Sequence, residues 1–310
     1  MKDNIMVLEE NEKVLEVENL SVAFSMYDKG LNKNDLEVIH ELSINVKKGE
    51  IVAVVGSSGS GKSLLAHAIM GILPGNAKVK GNIKFCEENL TEKYLKKIRG
   101  KDIAFIPQSI EFLDPLMKIG KQVIGINGNK EKQREVFKKY DLDDNVADKY
   151  PFQLSGGMAR RVLIATAVMN NVKLIIADEP TPGLNLELAM DTLKHFREIA
   201  NSGCGVLLIT HDVDLALNVA DRIAVFYSGT IVEIAKVDDF IKEYIIINSR
   251  IKIAKAKIIH AEYENNKFTV LKNKKILHEL EQLKEIVESN VKTEYLEVWK
   301  WINTKVQKPM

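Results

Sequence analysis

A chain of 310 residues, 45% apolar and 28% charged, has room for one large globular domain plus an appendage, or for two modest domains. Lys and Arg (44) nearly cancel Asp and Glu (43), leaving a formal charge of +1, so no global field draws the chain to nucleic acid. No apolar run reaches the ~18 residues of a bilayer span; the closest, Leu163 to Ala177, is broken by Asn170, Asn171 and Lys173.

The start, Met1-Lys2-Asp3-Asn4, runs into Glu9-Glu10-Asn11-Glu12 without the apolar stretch of a secretory leader. Residues 15–25 alternate polar and apolar side chains as a half-buried strand does, and Val38 to Val46 repeats the pattern. Asp28 to Asp35, between them, is expected to be a polar loop. Phe24 and Tyr27 are either core aromatics or a face on which an adenine ring would stack.

Next comes the run Ile51-Val52-Ala53-Val54-Val55, followed by Gly56-Ser57-Ser58-Gly59-Ser60-Gly61-Lys62-Ser63 and a helical pattern over Leu64 to Leu73. A buried strand stops, glycines let backbone N–H groups turn toward an anion, and the next helix adds its positive end to the same spot. The full G-x-x-x-x-G-K-S spacing is that of a phosphate-binding loop, with Lys62 for the β- and γ-phosphates and the Ser63 hydroxyl for Mg²⁺.

Short strands are expected at Asn82 to Cys86 and Ile103 to Ile106, the second ending in Pro107-Gln108. Gln108 matters because α/β sheets hold ligands at the carboxyl ends of their strands. The next residues, 109–153, carry helical periodicity and few β-branched runs. They read as a helical insertion, which with its exit helix extends to about residue 170. That exit, Leu154-Ser155-Gly156-Gly157-Met158, opens a helix over Ala159 to Met169 and is either a plain N-cap or a second anion-binding helix end.

Leu174-Ile175-Ile176-Ala177-Asp178-Glu179 is an apolar strand ending in paired carboxylates, which beside a phosphate loop suit a Mg²⁺ ligand (Asp178) and a base for an attacking water (Glu179). After the turn Thr181 to Asn185 come a helix over Leu186 to Ala200 and a strand over Val206 to Thr210 ending in His211-Asp212. His211 thus ends a third strand of one parallel set, within reach of a γ-phosphate. Strands at Arg222 to Tyr227 and Thr230 to Ile234 flank the turn Ser228-Gly229.

Beyond about Asp238 the texture changes. Asp238-Asp239 are expected to cap a helix over Phe240 to Ile247, Asn265-Asn266 to turn a hairpin, and two amphipathic helices to close the chain. The lysines of this segment form either a solvated face or a contact for acidic lipid or a partner. Cys86 and Cys204 stand apart, with no second thiol or His at metal-ligand spacing, and are expected to be inert thiols in a reducing compartment.

In their order, the loop Gly56 to Ser63, Pro107-Gln108, Leu154 to Met158, Ala177-Asp178-Glu179-Pro180-Thr181 and Thr210-His211-Asp212 resemble the P-loop, Q-loop, signature, Walker B and switch motifs of ATP-binding cassette (ABC) transporter subunits. The match covers residues 14–236 as the nucleotide-binding domain and leaves 237–310 as an extension. Pro151 to Val162, with Met158 where most cassettes carry Gln, together with Gly229 to Glu233 and Phe112 to Pro115, resembles the oligopeptide, dipeptide and nickel importer group.

The resemblance implies an α/β fold: a RecA-like P-loop NTPase core with an antiparallel β subdomain, a helical insertion, and a small C-terminal α+β appendage. It further implies an ATPase using ATP and Mg²⁺. Residues 57–63 and Lys62 would hold phosphates, Ser63, Gln108 and Asp178 would serve Mg²⁺, Glu179 and His211 would act on the γ-phosphate side, and Phe24 would stack on adenine. Ser155, Gly156 and Gly157 would serve ATP held by a second cassette, expected to be a different chain.

The implied partners are two integral membrane permease subunits and, indirectly, an extracytoplasmic binding protein, with no nucleic acid. The implied location is the cytoplasmic face of the membrane and the implied cargo is peptides or nickel and metal chelates. The alternatives are a soluble ABC-type ATPase acting on nucleic acid or ribosomes, and a regulatory module without turnover. Two departures stand out: Asn185 where the family has Asp, and a tail lacking the group's His-Pro-Tyr-Thr segment.

Overall fold

The computed structural model describes residues 12–27, 33–57, 59–125, 128–240, 272–278 and 281. They fall into two compact units. One takes in residues 12–211 and 219–234; the other takes in 212–218 and the described residues from 235 on.

The first unit opens on two long strands, β1 (Lys13–Tyr27) and β2 (Lys33–Lys47), paired antiparallel. Residues 33–35, expected in the polar loop from Asp28, are instead strand and pair with 25–27, and the rest of that expected loop lies outside the described residues. Alternation buries Leu15 and Val17 on one face, and then the parity changes to Leu20 and Val22. The change is a bulge: Asn19 takes φ 49°, and the register with the next partner strand shifts between Glu18 and Ser21. That partner is β4 (Ala77–Phe85), followed by the short β5 (Glu88–Asn89), giving the strand order β2-β1-β4-β5.

The second sheet carries the site. Its strands are β3 (Ile51–Val55), β6 (Ile103–Ile106), β7 (Leu174–Asp178), β8 (Gly205–Thr210), β9 (Arg222–Tyr227) and β10 (Thr230–Lys236), in the order β10-β9-β3-β8-β7-β6. From β9 to β6 every pairing is parallel. Strands β3, β7 and β8 are buried along their whole length, which is why they read as unbroken apolar runs without alternation.

The helices are α1 (Lys62–Met70), α2 (Glu92–Ile98), α3 (Ile119–Ile124), α4 (Lys130–Lys139), α5 (Gly156–Val168), α6 (Leu186–Asn201) and, in the second unit, α7 (Val213–Leu217). One core joins the two sheets. Val52, Val54, Ile176, Leu207 and Ile209 from the parallel sheet meet Leu65 and Ile69 of α1 and the inward residues of β1 and β2. The segment from 109 to α5 is helical as expected: short 3-10 turns plus α3 and α4, with no strand among its described residues.

Past β10 a helical turn covers residues 237–240, so Asp238 and Asp239 lie inside it and not ahead of it as caps. Helix recurs at 272–278, beginning ahead of the first closing helix, whose apolar spacing was expected to run from Leu277 to Val287. The rest of the 240–247 helix, the 265–266 hairpin and the last amphipathic helix lie outside the described residues.

Candidate functional site

Parallel strands put their carboxyl ends on one edge, and neighbours there are about 4.8 Å apart. Along that edge β3, β8, β7 and β6 deliver, in order, the Gly56 loop, His211, the Asp178-Glu179 pair and Pro107-Gln108. Four stretches distant in sequence thus end side by side because the β3–β8–β7–β6 ladders are in register.

The loop after β3 is held close to the sheet. A Cβ at Gly56 would stand 2.4 Å from the Phe226 carbonyl oxygen, so only glycine fits, and Gly61, the N-cap of α1, has φ 106°, which a side chain disfavours. Lys62 is 5% exposed. Its Nζ donates to the carbonyl oxygens of Gly56 (2.7 Å) and Ser57 (2.8 Å), leaving one of its three donors. Burial pulls the Lys62 ammonium below its ordinary pKa, while Glu179 and Asp178 pull it the other way. The Ser60 hydroxyl is buried without a partner, and Ser58 lies outside the described residues.

Asp178 is 1% exposed, and burial raises its carboxyl above the usual range even though it is hydrogen-bonded to Ser63. Its Oδ1 has no partner. Glu179, 6% exposed, adopts φ 48°, a left-handed backbone that a non-glycine residue enters at a cost. Two contacts fix it there. Its N–H donates to the Ile209 carbonyl at 2.8 Å, and both carboxylate oxygens lie 2.8 Å from His211 Nδ1.

Gln108 is exposed at the end of β6, and its backbone is gripped by an unexpected residue. Arg160, in the second turn of α5, donates Nη1 to the Pro107 carbonyl (2.8 Å) and Nη2 to the Gln108 carbonyl (2.5 Å). In the sequence it looks like half of a solvated Arg-Arg pair, and no spacing marked it. Also unmarked are His67 and Phe105, edge to face at 6.0 Å, with Phe112 continuing the contact from Phe105 at 5.9 Å.

Two predicted groups stand apart from this cluster. Phe24 is a half-buried residue of β1, paired with Leu36 and Ala77 and packed against the core. Ser155 is the N-cap of α5, its Oγ accepting from the Met158 N–H at 3.3 Å, and Ser155 and Gly156 are exposed. Asn185 is likewise an N-cap, accepting from Leu188 N–H at 2.8 Å, a local task that Asp performs equally well.

A glycine loop on a helix end, a buried lysine and a carboxylate pair at one sheet edge define a P-loop nucleoside-triphosphate hydrolase. Residues 39–182 match the family described as ABC transporter. The oligopeptide transport ATP-binding protein OppD of Lactococcus lactis subsp. cremoris is 37% identical over 247 residues, covering 74% of this chain and 72% of that protein. The dipeptide transport ATP-binding protein DppD of Bacillus subtilis is 36% identical over 241 residues, covering 72% and 70%.

Among solved structures, a dimeric post-hydrolysis state of the ATP-binding cassette MJ0796 bound to ADP and Pi superposes with a TM-score of 0.63 at 26% identity, covering 72% of this chain and 98% of that one. The chain belongs to the ABC transporter family and is an ABC-type ATPase. Among the described residues no helix is long and apolar enough to cross a membrane.

Proposed function

We propose that this chain is the ATP-hydrolysing subunit of an importer for peptides, working on the cytoplasmic face of the membrane beneath two permease subunits and beside a second, different cassette. An extracytoplasmic binding protein would hand over the cargo. Similarity to oligopeptide and dipeptide transport ATP-binding proteins supports the cargo class. The observation that carries the two-cassette arrangement is the α5 helix end: Ser155 and Gly156 are exposed, and the polar contact of the Ser155 hydroxyl is a cap within its own turn. A donor set with no reactant of its own suits a nucleotide brought by another subunit.

In this reading the N–H groups of 57–63 and the free donor of Lys62 hold the β- and γ-phosphates. Glu179 polarises the attacking water. With Nδ1 engaged by Glu179, His211 keeps Nε2 for the γ-phosphate. Phe24 is the aromatic residue offered to adenine.

Mg²⁺ fits the donors present: a buried unpartnered Asp178 Oδ1, the Ser63 hydroxyl hydrogen-bonded to that carboxylate, and Gln108. No group of three or more His, Cys, Asp or Glu among the described residues forms an all-protein cage, so the ion would share its shell with phosphate oxygens and water. Bound there, it would neutralise charge on the β- and γ-phosphates. The run after Gln108 supports permease docking, because Phe112 (54% exposed) and Leu116 (88%) leave an apolar face uncovered.

The test is purification of the membrane complex. Short peptides are expected to stimulate its ATP hydrolysis while nickel and metal chelates do not. Recovery with ribosomes or nucleic acid and no integral membrane protein would sink the transport reading.

A further inference from the structure

Among the described residues four side chains that carry charge are buried: Lys62, Asp178, Glu179 and Arg160. Three belong to the phosphate edge, and the fourth has no chemistry assigned. Arg160 is 7% exposed, next to Ala159 and Val162, which are buried apolar residues of the same helix. No carboxylate among the described residues lies within ion-pair distance of it. The guanidinium spends its planar fork on two consecutive carbonyls, those of Pro107 and Gln108, a geometry a lysine cannot copy. Burial works against its charge, and the nearby Asp178 and Glu179 favour it. Packing alone would be served as well by an apolar chain of the same length.

The tie joins two loops with different clients. Gln108 leads from the end of β6, beside the Asp178 strand. Ser155 lies five residues before Arg160, at the start of the helix that carries it. We propose that Arg160 is a positioning residue that makes the Gln108 loop and the Ser155 helix end one rigid body. The group offered to this chain's own nucleotide then moves with the group offered to its partner's.

This rests on the reading of Gln108 and Ser155 given above. Nucleotide engagement at one site biases the geometry of the other through a single lever, the α5 start hydrogen-bonded through Arg160 to the Gln108 loop, and the bias runs equally in both directions.

The test is a cycle in the assembled membrane complex with R160M, Q108A and the double variant, plus R160K. Methionine keeps the apolar stem and removes both donors; lysine keeps the charge and one contact. R160M is expected to lower kcat by about tenfold to a hundredfold, the scale of a misplaced catalytic group, with KM for ATP nearly unchanged. It should also raise the Mg²⁺ concentration for half-maximal rate. In the Q108A background the same change is expected to cost less than about threefold, because the two act as one unit. R160K should recover part of the rate.

An undiminished kcat in R160M, or the same full loss in both backgrounds, overturns the proposal. So does a parallel fall of ATP affinity and thermal stability in R160M and R160K, which marks a purely structural charge. If R160M does not assemble, R160K decides on the same readouts. Failure of the underlying reading shows separately, as undiminished hydrolysis by Q108A and by E179Q.

Discussion

Two helices of this protein begin in a way suited to an anion, and their surroundings differ. The α1 end sits behind the Gly56 loop with Lys62, Asp178 and Glu179 buried around it. The α5 end is a Ser-Gly-Gly whose first two residues are exposed to solvent, capped only within its own turn. Helix dipole and free N–H groups are common to both, so they do not distinguish a catalytic centre from a bare donor set. What distinguishes them is a neighbouring strand end: β7 brings the buried Asp178 and Glu179 to α1, beside the helix's own buried Lys62.

The sharpest way to break this contrast is E179Q. If α1 is the reacting end and Glu179 its base, the variant loses about 10² to 10⁴-fold in hydrolysis while still binding ATP, read by phosphate release against equilibrium nucleotide binding. Next is S155A, which removes a donor from the open end alone. Nucleotide affinity of the full chain should not change, while hydrolysis by the assembled complex falls by about 10²-fold. The lost cap should cost about 1 kcal/mol of stability in thermal unfolding. A fall in the chain's own ATP affinity would mean that the two ends serve one nucleotide.

The smallest effect concerns the burial that sets α1 apart. Because burial raises the Asp178 pKa above the ordinary carboxylate value, the folded state holds that proton more tightly than the unfolded chain does. The carboxylate therefore costs stability at neutral pH, and the cost disappears as pH falls through the folded-state pKa and below the unfolded one. D178N, in a chelator and without nucleotide, should melt higher than the wild type at pH 7, with the gap closing on acidification.

The α1 end was legible in the sequence because its parts are local or continuous. Glycines sit at fixed offsets from Lys62, and fully buried parallel strands read as apolar runs that stop at a polar residue. The open end was legible only as a choice between cap and site, since Ser155 does the first visibly. What stayed hidden depends on tertiary contact. The bulge at Asn19 reverses the inward parity of β1, and residues 33–35 pair despite their polarity because β1 supplies the partner edge. Arg160 reads as surface until β6 is laid beside α5. Nor did any local pattern announce the left-handed backbone at Glu179, which Ile209 and His211 hold from the next strand.

That backbone conformation gives folding and turnover opposite interests in a single residue. Glycine at 179 would relieve a strain of about 1–3 kcal/mol and remove the carboxylate that His211 grips. Screening variants for heat resistance alone would therefore favour discarding the side chain on which ATP hydrolysis is proposed to depend, and a hardened version of this ATPase has to find its extra stability at some other position.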